Sequence, residues 1–288
     1  MKKKVLFVAS LFLATAMFAQ DGLTSKKGEA YLPEAGDWAL GFDGTPFLNY
    51  VGNWANGTSN NSVNATWVGN TPMMTVYGKM FKDETTAYRA KIRIGFGSTS
   101  TKNFFDTSAV NPATVVELED EMSTSYFNLT LGGGIEKRRG NTRIQGFYGG
   151  ELLISFGSSS ESYTYGDSYD DINLATYTTN FNTGATTTGT GPRVTEMSNG
   201  STMQIGLRGF VGVEWFLAPK VSVAAEYGWG LAMSSTGDGE TTTEEWGLAT
   251  PTATANSLIT KTTTNGGSSS FGIDTDNNGG VISIFFHF

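Results

Sequence analysis

The 288-residue chain contains no cysteine, and this excludes several classes at once. A disulfide framework and a thiolate metal site are both ruled out. No cysteine follows the N-terminal apolar run to take a lipid anchor. Histidine is almost as scarce: His287 stands alone, which removes most imidazole-based catalysis. Basic residues are outnumbered, 19 Lys and Arg against 27 Asp and Glu, for a net charge of −8. Nucleic acid is therefore not an expected partner, because phosphate-backbone binding needs clustered Lys and Arg. No apolar run beyond the N-terminus reaches the roughly 18 residues of a transmembrane helix. Two options survive: a soluble all-β protein, or a chain that spans a membrane as a closed β-barrel. Thirty-seven glycines and 12% aromatic residues fit either, so the pattern along the chain has to decide.

What is present begins with an address. Lys2, Lys3 and Lys4 form a positive start, residues 5–18 are mostly apolar, and Ala19-Gln20 is followed by Asp21-Gly22. This is the layout of a secretory signal, with 1–20 removed on export. The apolar run falls short of the roughly 20 residues of a spanning helix, which argues against an N-terminal anchor. Losing the three lysines takes the net charge from −8 to −11. Residues 21–37 read as a short polar lead-in containing Pro33, and 38–288 as one body with no second domain.

Within that body, alternating runs are separated by breaks of two kinds that take turns. The short breaks are 83–86, 138–141 and 218–220; the long ones are 48–70, 97–122, 157–201 and 234–278. Tight turns on one side and long loops on the other are the rhythm of a transmembrane barrel. Period-two alternation predicts eight strands, at 38–47, 72–82, 87–96, 123–137, 142–156, 202–217, 221–233 and 280–288. In 87–96, Tyr88, Ala90, Ile92, Ile94 and Phe96 share one face, and Arg89, Lys91 and Arg93 the other. In 202–217, Met203, Ile205, Leu207, Val211, Val213, Trp215 and Leu217 oppose Gln204, Arg208 and Glu214. The expected fold is an all-β, eight-stranded antiparallel transmembrane barrel with lipid on its apolar face. The short turns and both chain termini then lie in the periplasm, and the four long loops lie outside. A soluble sandwich would need a partner layer over these apolar faces.

A barrel of that size has an interior just wide enough for side chains. Its polar faces carry Asp43, Lys79, Arg89, Lys91, Arg93, Glu136, Arg143, Glu151, Arg208, Glu214 and Glu226. An unpaired charge in a dry interior costs several kcal/mol, so this near-balanced set is expected to form a salt-bridge network that plugs the bore. The competing reading is a selectivity-lined ion path through a small pore.

Other features fit loops. Asp274-Thr275-Asp276-Asn277-Asn278-Gly279 matches the first half of a calcium loop, but the position of the bidentate glutamate falls on Phe285. The stretch reads as a polar loop tip, with Asp274, Asp276 and Asn278 a partial calcium pattern and no metal or other cofactor expected. The acidic clusters Glu117, Glu119, Asp120, Glu121 and Asp238, Glu240, Glu244, Glu245 read as solvated loop charge. They are also placed to bridge lipopolysaccharide phosphates through divalent cations. Thr186–Thr188, Thr241–Thr243 and Thr262–Thr264 read as low-complexity, mobile segments.

The last residues alternate to a terminal aromatic: Ile282, Ile284, Phe286 and Phe288. This resembles the C-terminal sorting signal that the barrel-assembly machinery recognises in outer-membrane proteins. The segment Gly36-Asp37-Trp38-Ala39-Leu40-Gly41-Phe42-Asp43-Gly44-Thr45-Pro46-Phe47-Leu48-Asn49-Tyr50 resembles the opening of Bacteroidota outer-membrane barrels, and Phe18-Ala19-Gln20 resembles that phylum's signal ends. By overall plan the chain resembles the OmpA/OmpX-like barrel superfamily, without the OmpA C-terminal domain. The resemblance implies a non-enzymatic structural or surface-interaction role in the outer membrane, among lipid and lipopolysaccharide. It also implies, as an alternative, an accessory subunit of a larger outer-membrane assembly or secretion complex. Enzymes among small outer-membrane barrels hold histidine near the outer rim, whereas His287 falls at the opposite end and is expected to face inward.

Overall fold

The computed structural model describes residues 23–44, 75–107, 116–169, 175–275 and 281–288. The expected signal 1–20 and the first long break lie outside the described residues. So do Asp276 and Asn278 of the calcium-like stretch. Among the described residues there are thirteen strands and no α-helix. They are β1 (Trp38–Asp43), β2 (Val76–Asp83), β3 (Thr86–Asp106), β4 (Glu117–Arg139), β5 (Ile144–Thr164), β6 (Thr176–Asn180), β7 (Ala185–Gly189), β8 (Arg193–Ala218), β9 (Val221–Thr236), β10 (Gly239–Gly247), β11 (Ser257–Asn265), β12 (Ser268–Thr275) and β13 (Val281–His287).

Eleven of these make one antiparallel sheet in the order β11-β10-β8-β5-β4-β3-β2-β1-β13-β9-β12, and β8 also pairs with β9. β6 and β7 form a separate hairpin. First and last strands are joined: Trp38 and Phe288 exchange backbone hydrogen bonds, and their rings stack 4.4 Å apart. The β2–β3 turn is tied by Asp83, which accepts from the Thr85 hydroxyl at 2.7 Å and amide at 2.9 Å. Those bonds hold the Asp83 carboxyl below its ordinary range.

Thirteen strands stand where eight were expected, and the difference lies in the long breaks. β3 and β4 stay in register from Thr86↔Lys137 to Asp106↔Glu117, through most of the expected break at 97–122. β5 runs on to Thr164, and β8 starts at Arg193 inside the break expected at 157–201. The hairpin β6–β7 and strands β10, β11 and β12 also occupy stretches expected to be loop. The reason is physical: these extensions are rich in Ser and Thr on both faces, so hydrophobicity does not alternate, yet β-branched threonine suits a pleated backbone. The threonine tracts belong to β7, β10 and β11, where Thr242 and Thr262 bond across the ladder at 3.1 Å.

The two faces of the long strands differ sharply. On β8, Met203, Ile205, Leu207, Val211, Val213 and Leu217 are exposed, and Phe210, Glu214 and Phe216 are buried. On β3, Tyr88, Ile92, Ile94 and Phe96 are exposed while Arg89 is buried. The polarity is thus inverted relative to a soluble sheet: leucines face out and charges face in. Glycines on the buried face make the room. A Cβ at Gly149 would overlap the Ile135 carbonyl oxygen, and one at Gly212 would overlap the Phe147 ring. Gly149→Ala is expected to lose about 1–3 kcal/mol of stability, because overpacking against backbone cannot relax by a rotamer change. A urea titration of the folded protein checks this, and an unchanged midpoint would show a looser interior.

Candidate functional site

The buried face holds a continuous chain of ion pairs. It begins near the short turns, where Arg138 on β4 reaches Glu136 and Glu214, the latter at 2.7 Å. Lys79 on β2 lies between the same two carboxylates, 2.9 Å from Glu214 and 3.1 Å from Glu136. Arg89 on β3 lies 3.6 Å from Glu136 and 2.6 Å from Glu226. Glu226 meets Arg208 at 2.6 Å, Arg208 meets Glu151 at 2.8 Å, and Glu151 meets Lys91 at 2.6 Å. Glu136 and Glu214 are fully buried. Buried charges are tolerable only when paired and hydrogen-bonded, and each of these carboxylates has at least two cations.

Register explains how six strands bring these groups together. Arg89, Gly134, Glu151, Arg208 and Gly230 are successive cross-strand partners on β3, β4, β5, β8 and β9. Glycines sit beside the long charged side chains and leave them space: a Cβ at Gly132 would lie 2.6 Å from Lys91 Cγ. Aromatic rings fill what remains. Lys79 Nζ lies 4.3 Å from the Phe285 ring centre, and the Arg89 guanidinium 4.0 Å from that of Phe210. Such cation–π contacts strengthen when water is excluded. The result is a packed layer of charge and ring in which Glu136 and Glu214 have no exposed surface.

Of the residues read from sequence as this network, Lys79, Arg89, Lys91, Glu136, Glu151, Arg208, Glu214 and Glu226 meet in it. Arg143 does not: its guanidinium stacks 3.6 Å from the ring of Tyr31 in the lead-in, because its strand starts only at Ile144. Arg93 faces the interior but forms no ion pair among the described residues, and its buried Nε has no hydrogen-bond partner there. Asp43 lies opposite Ser283 at the end of β1 and is itself engaged. Sequence reasoning missed Arg138, assigning it to a polar turn. It lies two residues beyond Glu136, hence on the same face, and that spacing is the signal that finds it.

His287 is buried. Its Nε2 lies 2.8 Å from the Ser222 hydroxyl, which donates to Glu214. The order is Glu–Ser–His, with serine in the middle, and not the Ser–His–acid relay of a hydrolase. The rings of Phe81, Phe216 and Phe285 surround the imidazole. On the same strand Phe286 and Phe288 are exposed and Ile282 and Ile284 half-buried, all on the opposite parity to Ser283, Phe285 and His287. Asp274 lies in β12, opposite Gly230 and engaged, and not at a loop tip. Among the described residues no cluster of His, Asp and Glu has a metal-binding arrangement.

At the far end of the long strands a second polar assembly forms. Asp120, expected to be solvated, is fully buried and accepts the amides of Gly166 at 3.0 Å and Thr179 at 3.1 Å. These bonds pin the β6–β7 hairpin over β3 and β4, helped by Asn103, whose Nδ2 donates to Thr179 and Thr186 at 3.1 Å each. Arg193 pairs with Glu244 at 2.7 Å and donates to the carbonyls of Asp167 and Tyr177. Tyr165 stacks on it 4.1 Å away, and burial pushes the Tyr165 phenol above its ordinary range. Glu119 and Glu121 share Lys102. Asp120→Ala is expected to orphan the amides of Gly166 and Thr179, at about 1–3 kcal/mol for the buried amide of Thr179. Faster hydrogen exchange at Gly166 and Thr179, with an unchanged urea midpoint for the ionic layer, is the expected result. Unchanged exchange would mean the hairpin is held elsewhere.

No family model matches the chain, and no curated protein matches it. Among solved structures it is similar to the outer membrane protein OprG from Pseudomonas aeruginosa, at 8% identity over 90% of this chain and 98% of that one. The TM-score of 0.29 is too loose a superposition to carry that fold across.

Proposed function

We propose that the chain is a non-enzymatic bacterial outer-membrane β-barrel with a plugged interior, whose work is done by the folded crown above the membrane. The observation that carries this reading is the inverted polarity of the wall. Leucine, isoleucine and aromatic side chains ring the outside, and a connected salt-bridge network fills the inside. Water would penalise the first arrangement over so large an area, and lipid rewards it.

Strand count and span fit the same reading. The pairings β1–β2–β3–β4–β5–β8–β9–β13 lead back to β1, as a closed ring of eight strands would. Exposed apolar residues run from Tyr88 to Phe96 on β3 and from Phe127 to Ile135 on β4. That matches the roughly 9–11 tilted residues that cross a bilayer. Beyond this belt the strands continue with Ser, Thr and Glu, so the crown is extramembrane. Residues 1–20 then serve as the export signal, 21–37 as a periplasmic lead-in and 38–288 as the barrel. Both termini are periplasmic. Ile282, Ile284, Phe286 and Phe288 are the strand offered to the assembly machinery.

A surface-interaction role is favoured by one further feature. β11 pairs only with β10 among the described residues, which leaves an open strand edge of the kind that partner chains extend. Two experiments test the proposal. Purified protein refolded in detergent should run faster on SDS gels unheated than boiled, and should give no unitary conductance in planar bilayers. Stable conductance steps would replace the plug with a small pore. Co-purification with a large assembly after mild extraction would make the chain an accessory subunit of it.

A further inference from the structure

Above the ionic layer the interior opens into a cavity of about 520 Å³, the size of a small-molecule site. Among the described residues Arg93 is its one charged lining residue. The others are neutral, and those that matter are Asn128, Thr130, Ser155, Thr202 and Gln204. Arg93, Thr130, Ser155 and Gln204 are consecutive cross-strand partners on β3, β4, β5 and β8. They form one row of hydrogen-bonding side chains around the wall, one inward step above Lys91. Among the described residues no carboxylate pairs with Arg93, whose Nε is buried without a hydrogen-bond partner. Every cation in the network below has an acid, and among the described residues this one has none.

Arg93 is half-buried, and a guanidinium whose Nε is buried and unbonded, with no anion beside it, is costly; an arriving anion removes the cost. We propose that this cup binds a small hydrophilic anion, a carboxylate or phosphate on a hydroxylated body. Arg93 takes the charge, and the Asn, Thr, Ser and Gln side chains take the hydroxyls. The Lys91–Glu151 and Arg208–Glu151 ion pairs lie on the inward steps below this row, so the ligand would be held and not passed through. The inference rests on the closed-barrel reading above. That reading is checked separately by the shift in gel mobility on boiling, so each can fail alone.

The test is thermal melting of the detergent-folded protein with glucose 6-phosphate, glucuronate or glucose, and with lipopolysaccharide in mixed micelles. A ligand that binds only the folded state raises the melting temperature. The two sugar anions should raise it and glucose should not. Arg93→Gln should weaken the anions by about tenfold or more, as expected for loss of a charged hydrogen bond. A response to lipopolysaccharide alone, abolished by Arg93→Gln, supports the same site with a lipid phosphate as its anion. Equal shifts with glucose, or anion shifts that survive Arg93→Gln, overturn the proposal. So does no shift with any anion in protein that still runs as a folded barrel. Without ligand, Arg93→Gln should melt no lower than the parent, because no acid loses a partner. A marked drop would mean that Arg93 has a structural partner, and would also overturn it.

Discussion

Replacing Glu214 by leucine is expected to remove about 3–5 kcal/mol of stability, the usual cost of breaking a buried ion pair from one side. The loss follows from what stays behind. Lys79 and Arg138 both converge on Glu214, at 2.9 Å and 2.7 Å, and Ser222 donates to it. Without it, Lys79 and Arg138 are left with Glu136, which Arg89 also approaches, and the Ser222 hydroxyl loses its acceptor. Urea titration of protein folded in detergent, followed by tryptophan fluorescence, measures the effect. Charge balance supplies the control. Lys79→Met with Glu214→Leu should cost less than the two single changes summed, since neighbours in one network couple by about 0.5–3 kcal/mol. A loss below about 1 kcal/mol for the single change would mean that water reaches Glu214, which the packed interior does not allow.

Leu207→Arg gives the second large effect, and its sign separates a membrane wall from a wet one. Leu207 is 56% exposed in the middle of the apolar belt, opposite Leu152 and Leu231 on its neighbours. In water such a change is nearly neutral, within about 0.5 kcal/mol. In a bilayer, arginine at mid-depth on the lipid face of a barrel costs about 2–4 kcal/mol. Folding into phosphatidylcholine vesicles measures it. Leu207→Ala controls for lost packing area, and Glu196→Arg, on β8 beyond the belt, should fold as the parent does. A neutral Leu207→Arg would remove lipid from that face.

The sequence made the apolar belt legible and little beyond it. Alternation in β3, β8 and β9 is strong where one face meets apolar surroundings and the other meets charge, so Leu207 and Arg208 separate by parity alone. The same signal ends at Phe96, although β3 continues to Asp106. What ends there is the apolar belt and not the strand. Hydropathy reports the surroundings, while the ladder is held by backbone bonds that any Ser or Thr can make. Asp120 was illegible for a different reason. Its burial is set by the β6–β7 hairpin, dozens of residues later in the chain, whose amide of Thr179 it accepts. The interior aromatics Phe147, Phe210 and Phe285 share parity with Gly149, Arg208 and Ser283, but an apolar residue on a polar face reads as noise until its cation is known. Arg93 was placed with the network by parity. Register puts it two inward steps above Glu151, and no sequence pattern carries that height.

The absence of cysteine permits the most direct measurement of the central claim. Single cysteines placed from Met203 to Phe216 on β8, each spin-labelled in protein folded into vesicles, report collisions with oxygen and with a water-soluble nickel complex. The inverted wall predicts a period of two. Labels at 203, 205, 207, 211 and 213 should collide freely with oxygen, which concentrates in lipid. Those at 208, 210, 212 and 214 should be immobile and poorly accessible to both reagents. Odd positions open to the nickel complex, or accessibility without alternation, would contradict the account.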